Sequence, residues 1–363
     1  MLLSRTADNM FWMARYIERA ESIARLLDVG RRMSSLLPDP ADASSEWTST
    51  IEAAGCEDSF ATTFGVPTGA NVIEHLVRDP RNPSSIFACL ATVRQNARAV
   101  RTALSQDVWD AVNSMWIESQ GWTDDDFTVE GLPRVLDWVK ERSQRFGGAL
   151  TNTMLRRDAY WWARLGTFLE RAENSARIVD VKYHVLLPRG TSDVGGHLDY
   201  YQWGAVLGAV SAFRAYHWVY RDRLEPSRVA ELMILRPELP RSLLSCASQV
   251  TYYLNRIADG GVGDAGGEHD DDNDISTTVA RHPSREAPPR SFEPVAQVGR
   301  GTDLANQTRV VSPSLNSARS IEQALRSTTI EEIFSTGLHE FLTDFVNSMN
   351  ELGNDVRREY FLG

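Results

Sequence analysis

From Ser4 to about Leu37, apolar side chains return at three- and four-residue steps: Met13, Tyr16, Ile17, Ala20, Ala24 and Leu27. That spacing matches the turn of an α-helix, and Pro38 closes the segment. A second long helix is expected from about Thr151 to Leu187, stopped by Pro188. Between the two, an amphipathic helix follows Pro83 (Ile86, Leu90, Val93, Ala97, Val100, Leu104), with shorter ones near 105–119 and 132–148. Further helical segments fall near 200–219, 226–236 and 240–257, the middle one opening on Pro226, a residue suited to a first helical turn. The chain closes with a helix from about Ile330 to Tyr360 that has a break point at Gly337. No run of alternating β-branched residues lies between turn signals, so the pattern predicts an all-α, multi-helix bundle without a sheet.

One stretch breaks the helical pattern. From Asp259 to Arg319 the sequence turns to glycine, an Asp270–Asp274 acidic run and then Pro283, Pro288, Pro289 and Pro294, and it offers too little apolar surface to offset the entropy of ordering it. We read 259–319 as a flexible low-complexity insertion in one helical domain made of residues 1–258 and 320–363. The acidic run lacks the central Gly and terminal Glu of a helix–loop–helix calcium site.

The two long helices repeat one another. Glu18-Arg19-Ala20-Glu21-Ser22-Ile23-Ala24-Arg25-Leu26-Leu27-Asp28-Val29 aligns with Glu170-Arg171-Ala172-Glu173-Asn174-Ser175-Ala176-Arg177-Ile178-Val179-Asp180-Val181, with eight of the twelve positions identical. Aromatic clusters precede both copies. At 100° per residue, Glu18, Glu21, Arg25 and Asp28 form a charged stripe beside the apolar one, and so do Glu170, Glu173, Arg177 and Asp180. Three roles are open to this ladder. It can be a set of solvated i,i+4 pairs, a buried ionic network that fixes helix register, or a site for a charged ligand or partner. If the helices pack through Ala20, Ala24, Ala172 and Ala176, the ladders meet as charge-assisted bonds.

Charge and cysteine usage narrow the function classes. The chain's 363 residues carry 38 basic against 49 acidic side chains, a formal net charge of −11, which argues against a protein that neutralises a nucleic-acid backbone. Cys56, Cys89 and Cys246 lie far apart, with neither a disulfide framework nor thiolate zinc spacing. Charged residues from Arg5 onward interrupt any signal core or membrane span, so a cytoplasmic protein with no membrane partner is expected.

Leu3-Ser4-Arg5-Thr6-Ala7-Asp8-Asn9, the run Arg15-Tyr16-Ile17-Glu18-Arg19-Ala20-Glu21 and the second copy through Asp180-Val181-Lys182-Tyr183-His184 carry a resemblance to the alpha-E domain family, bacterial helical proteins named for a Glu-Arg motif. It continues through Asn82-Pro83-Ser84-Ser85, Tyr220-Arg221-Asp222-Arg223-Leu224, Pro240-Arg241-Ser242-Leu243-Leu244 and Tyr360-Phe361, with 259–319 as the departure. The resemblance implies a protein whose genes neighbour those of circularly permuted ATP-grasp ligases and transglutaminase-like peptidases. It supplies no reaction.

The residues themselves offer little catalytic pattern. There is no phosphate-binding GxxxxGK[ST] loop, and Ser245-Cys246 sits in an apolar helical run without a paired base. No Glu-x-x-His pair suits a dimetal bundle, and the arginines compete for Glu18, Glu21, Glu170 and Glu173, so neither a metal nor a cofactor is expected. His217, Arg221 and Arg223 lie in the densest aromatic–guanidinium stretch, suited either to core packing or to holding an anion. The expectation is an accessory or binding protein acting with an ATP-grasp-type ligase in peptide or amide-bond synthesis or modification. Its charged motif comprises Arg15, Glu18, Arg19, Glu21, Arg25, Glu170, Arg171, Glu173, Arg177, His217, Arg221 and Arg223. The alternative is an enzyme in which Glu18 or Glu170 serves as general base on an anionic substrate.

Overall fold

Ser4–Ser34 forms the first helix, α1, whose sequence is mixed in polarity but which is buried on almost every face. A helix with so weak an apolar stripe goes to the centre of a bundle only if its polar side chains meet partners there. The computed structural model, which describes residues 3–35, 40–185, 197–260 and 312–362, shows a second helix of the same kind, α8 (Asp158–Val185), packed along α1. Most of the helices around this pair are more strongly amphipathic and turn one apolar stripe inward.

Fifteen α-helices occur among the described residues, with no strand. After α1 come α2 (Pro40–Ala54), α3 (Glu57–Thr63), α4 (Gly69–Val77), α5 (Ile86–Ala99), α6 (Gln106–Ser119) and α7 (Leu132–Thr153). After α8 come α9 (His197–Ala209), α10 (Phe213–Tyr220), α11 (Pro226–Leu235), α12 (Leu243–Ala258), α13 (Pro313–Ser327), α14 (Ile330–Thr336) and α15 (Leu338–Tyr360).

The second series repeats the first. α1 packs on α5 and α7 as α8 packs on α12 and α15, and α6 bridges α5 and α7 as α13 bridges α12 and α15. Local details follow suit. Ser85 and Ser242 each cap the helix that follows, accepting from the N–H three residues on, and each cap is preceded at two positions by proline and followed at four by cysteine. Thr123 and Thr329 each form a capping box with an acid three residues later. Gly55 and Ser211 both take positive φ (63° and 60°) at the turn after α2 and α9. The duplication therefore spans the whole helical body and not only the two motif helices.

Several boundaries differ from the sequence reading. The segment 151–187 is not one helix: 151–153 end α7, Met154 is extended, and α8 begins at Asp158. The segment 200–219 is likewise two helices, separated at Ser211. Helix α2 carries no strong periodicity and α3 and α4 are short, and the sequence reading passed them over; it also passed over α13, whose first half it placed in the insertion. Of the proposed insertion, 261–311 lie outside the described residues, whereas Asp259 and Gly260 finish the turn after α12 and Pro313–Arg319 belong to α13. Pro313 sits at the first helical turn and Ser312 caps it, which is why the helix begins there despite its polar composition. Gly337 does divide the last two helices.

The two ends of the described chain are fastened together. Ser4 Oγ donates to the Tyr360 carbonyl at 2.9 Å, and Trp162 on α8 places its ring 5.1 Å from Tyr360 and 5.0 Å from Phe361. In the contact of α8 with α1, Gly166 faces the Phe11 carbonyl oxygen with no room for a Cβ.

Candidate functional site: a reciprocal Glu–Arg network with a cavity on one side

The two ladders meet through their Glu-Arg dipeptides, which exchange partners. Arg19 donates from Nε to Glu170 at 2.6 Å, and Arg171 donates from Nη2 to Glu18 at 2.8 Å and from Nε at 3.0 Å. Each arginine also lies over an aromatic ring one turn back, Arg19 over Tyr16 and Arg171 over Phe168, both at 5.2 Å. The four carboxylates Glu18, Glu21, Glu170 and Glu173 are all buried. The solvated-pair role is thereby excluded for this part of the ladder, because ions without water need bonded counter-ions.

A third arginine completes each side, from a different source. Arg15 of α1 spans Glu170 (Nε, 2.7 Å) and Glu173 (Nη2, 2.8 Å). Arg241, in the turn before α12, spans Glu18 (Nη1, 2.8 Å) and Glu21. Glu21 further accepts from Arg25 (Nε, 2.9 Å) and from Ser143 of α7, and Arg25 donates to the Ala209 carbonyl. Arg177 occupies the place equivalent to Arg25: a Cβ added to Gly55 would lie 2.9 Å from its guanidinium. Farther along, the ladders part. Asp28 pairs with Arg31, Arg32 and Lys140 of α7, and Asp180 with His339 of α15.

This arrangement sets proton affinities. Burial alone would raise Glu18, but the charges and hydrogen bonds of Arg171 and Arg241 outweigh it and hold the carboxyl at about 2. Glu170 is held at about 2 in the same way by Arg19 and Arg15. Glu173 moves the other way, because burial and the negative charge of Glu170 exceed the pull of Arg15. Carboxylates as acidic as Glu18 and Glu170 have lost the basicity that a general base needs at neutral pH. Burial also lifts the thiols of Cys89 and Cys246 to about 12, so neither is an activated nucleophile.

A cavity of about 400 Å³ opens beside the Glu18 half of the network. Glu18, Glu21, Arg25, Arg171 and Arg241 form its floor, and Arg164, Thr167, Ser143 and Ser211 contribute further polar groups. Ile17, Phe146 and Leu150 give it an apolar wall. Arg164 donates from Nε to Tyr253 Oη at 3.2 Å and is flanked by the rings of Tyr160, Phe168 and Tyr253.

The sequence motif and the site overlap only in part. Glu18, Glu21, Arg25 and Arg171 line the cavity, whereas Arg15, Arg19, Glu170, Glu173 and Arg177 belong to the other half of the network. His217 lies on α10, and Arg221 and Arg223 are exposed just beyond it, all three apart from the cavity lining. Arg164 and Arg241 were missed as site residues. The repeated Pro-x-Ser…Cys spacing around Arg241 was the available signal for its placement.

A second polar cluster lies in the first half. Ser59 Oγ is 3.0 Å from His75 Nε2, and His75 Nδ1 is 3.1 Å from Asp79 Oδ2, the order of a nucleophile relay. His75 has no exposed surface, and the rings of Phe60 and Phe64 are set edge-on against it. The cluster fastens α3 to α4. No group of three or more metal-ligating side chains occurs among the described residues, and no helix there is long and apolar enough to cross a membrane.

Fold and site together define an all-α protein built from two equivalent halves that exchange buried Glu–Arg pairs. The chain belongs to the Alpha-E family, described as a predicted alpha-helical domain with a conserved ER motif, whose family model matches residues 2–288 and 295–361. Uncharacterized proteins of Mycobacterium bovis and of one Mycobacterium tuberculosis strain are each 31% identical to it over 117 residues, and that of a second tuberculosis strain is 30% identical. The match covers 29% of this chain and 13% of each relative, so the chain spans only a small part of their length. No solved structure matches it.

Proposed function

We propose that this chain is a cytoplasmic accessory protein that binds a charged small molecule and acts with an ATP-grasp-type ligase, and with a transglutaminase-like peptidase, in making or modifying a peptide or amide bond. The supporting observation is the cavity on the Glu18 half of the network. It is large enough for a small ligand, it is lined by both charged and apolar side chains, and its carboxylates are committed to arginines. The partner enzymes rest on the gene context that the family resemblance implies.

A catalytic reading draws on the same cavity, with Glu18 at its floor. It requires a base, and Glu18 at about 2 does not provide one at neutral pH. A binding role needs no such group.

The test is to co-express the full chain with the ligase encoded beside it, purify through a tag on the ligase, and measure ligase turnover with and without the chain. Co-elution or a change in turnover is expected. Two proteins that neither associate nor alter each other's activity would overturn the ligase partnership.

A further inference from the structure

The two halves of the network place matching carboxylates in unlike surroundings. In the second half, Arg15 lies between Glu170 and Glu173 and reaches the backbone of α15, where a Cβ on Gly353 would sit 3.2 Å from its Nη1. Trp12 packs over the same guanidinium at 5.2 Å. By the alignment of the two motif helices, Thr167 stands where Arg15 would be in the first half, and Arg164 stands where Trp12 would be. Gly147 of α7 is the counterpart of Gly353, and nothing lies within 4 Å of where its Cβ would be. The side chains that fill the second half are thus replaced by a shorter one and a charged one, and the space they would take is the cavity.

The charge around that space is unbalanced. Four arginines, Arg25, Arg164, Arg171 and Arg241, line it against two glutamates, Glu18 and Glu21. Glu18 and Glu21 are already shared among Arg25, Arg171 and Arg241, and Arg164 forms no ion pair among the described residues. Burial, and after it the proximity of Arg241, work against the positive charge of Arg25. Aromatic rings on three sides hold Arg164 in place, so little ordering is needed before it binds.

We infer that this cavity is a binding site for a small organic oxyanion, a carboxylate or phosphate head held by Arg164 with Arg241 and Arg171, its apolar body lying against Ile17, Phe146 and Leu150. Guanidinium forks match both head groups in geometry and charge. The inference deepens the accessory-protein reading by naming the class of ligand, and it rests on that reading only for the ligand's role.

The test uses the full chain alone, so it is independent of any ligase. Isothermal titration with inorganic phosphate, phenyl phosphate, 3-phenylpropanoate and, as the cationic control, 2-phenylethylammonium should show binding of at least one of the two aryl anions and none of the cation. Phenyl phosphate against 3-phenylpropanoate identifies the preferred head group, and binding should weaken as salt rises. Thr167→Arg, which restores the filled arrangement of the other half, and Gly147→Leu, which grows into open space, should each weaken binding at least tenfold. Arg164→Gln, which strands no buried carboxylate, should do the same. Circular dichroism and melting identify the variants that fold as the wild type does. If the wild type binds neither aryl anion, if it binds the cation as well, or if every folded variant binds as the wild type does, the inference fails.

Discussion

Arg15 and Arg241 clamp matching pairs of carboxylates from unmatched places in the chain, Arg15 from the middle of a central helix and Arg241 from the turn before a peripheral one. Each central Glu-Arg dipeptide is served by the other helix, and the third guanidinium is the part that differs between the halves. In the half served from within the helix, Arg15 and Trp12 take up the matching space. The half served from outside is open.

Glu18→Ala would leave Arg171 and Arg241 buried without their shared acceptor, and Glu170→Ala would do the same to Arg15 and Arg19. Each substitution is expected to cost about 3–5 kcal/mol, against less than about 1 kcal/mol for Asp355→Ala in the exposed pair with Arg358. Urea unfolding of the three variants measures this, and a Glu18 loss as small as that of Asp355 would contradict a buried network.

Stability should fall on the acid side. Glu18 and Glu170 drop from an ordinary 4.5 to about 2 in the fold, so their contribution is complete above pH 4.5 and is lost as pH falls towards 2. Glu173 is raised, so its contribution runs oppositely, being complete below 4.5 and lost as pH rises through its folded value. Two carboxylates outweigh one, and the melting temperature should decline from pH 4.5 downward. Glu18→Gln and Glu170→Gln should each flatten that decline, and an unchanged acid limb would show that the arginines do not hold these groups.

Gly166→Ala places a methyl against the Phe11 carbonyl oxygen at the crossing of α1 and α8 and should cost about 1–3 kcal/mol. Gly148→Ala, on the exposed face of α7 with open space around it, should be neutral or gain up to about 1 kcal/mol from helix propensity. Thermal unfolding of the pair checks both signs at once.

Cys89 and Cys246, fully buried with thiols at about 12, should resist a disulfide reagent such as dithiobisnitrobenzoate at pH 7.5 in the folded protein and react at once in denaturant. Fast reaction of either thiol without denaturant would contradict the burial.

Much of the helical skeleton was legible because α5, α7 and α12 bury a face at a 3.6-residue period, and that period is written in the sequence. Helix ends at Met154 and Ser211 were not legible, because a single extended or left-handed residue leaves no hydrophobic signature. Helix α2 has too weak an apolar stripe, and α3 and α4 span too few turns, for a periodicity to stand out. The start of α13 depends on Ser312 and Pro313, a cap signal lost at the edge of a polar stretch.

The candidate site divides along the same line. The sequence by itself determined that two helices carry the same Glu-Arg ladder, since identity at eight of twelve positions needs no coordinates. Only the tertiary structure decided which charge meets which: Arg19 with Glu170, Arg171 with Glu18, and Arg241 reaching in from a turn more than two hundred residues from its acceptors. Local spacing fixes which side chains share a helix face, whereas the partner of a buried ion is chosen by what the packed neighbours leave within reach. The same packing, through the exchange of Arg15 for Thr167, opened a cavity in one half where Arg15 takes the equivalent space in the other.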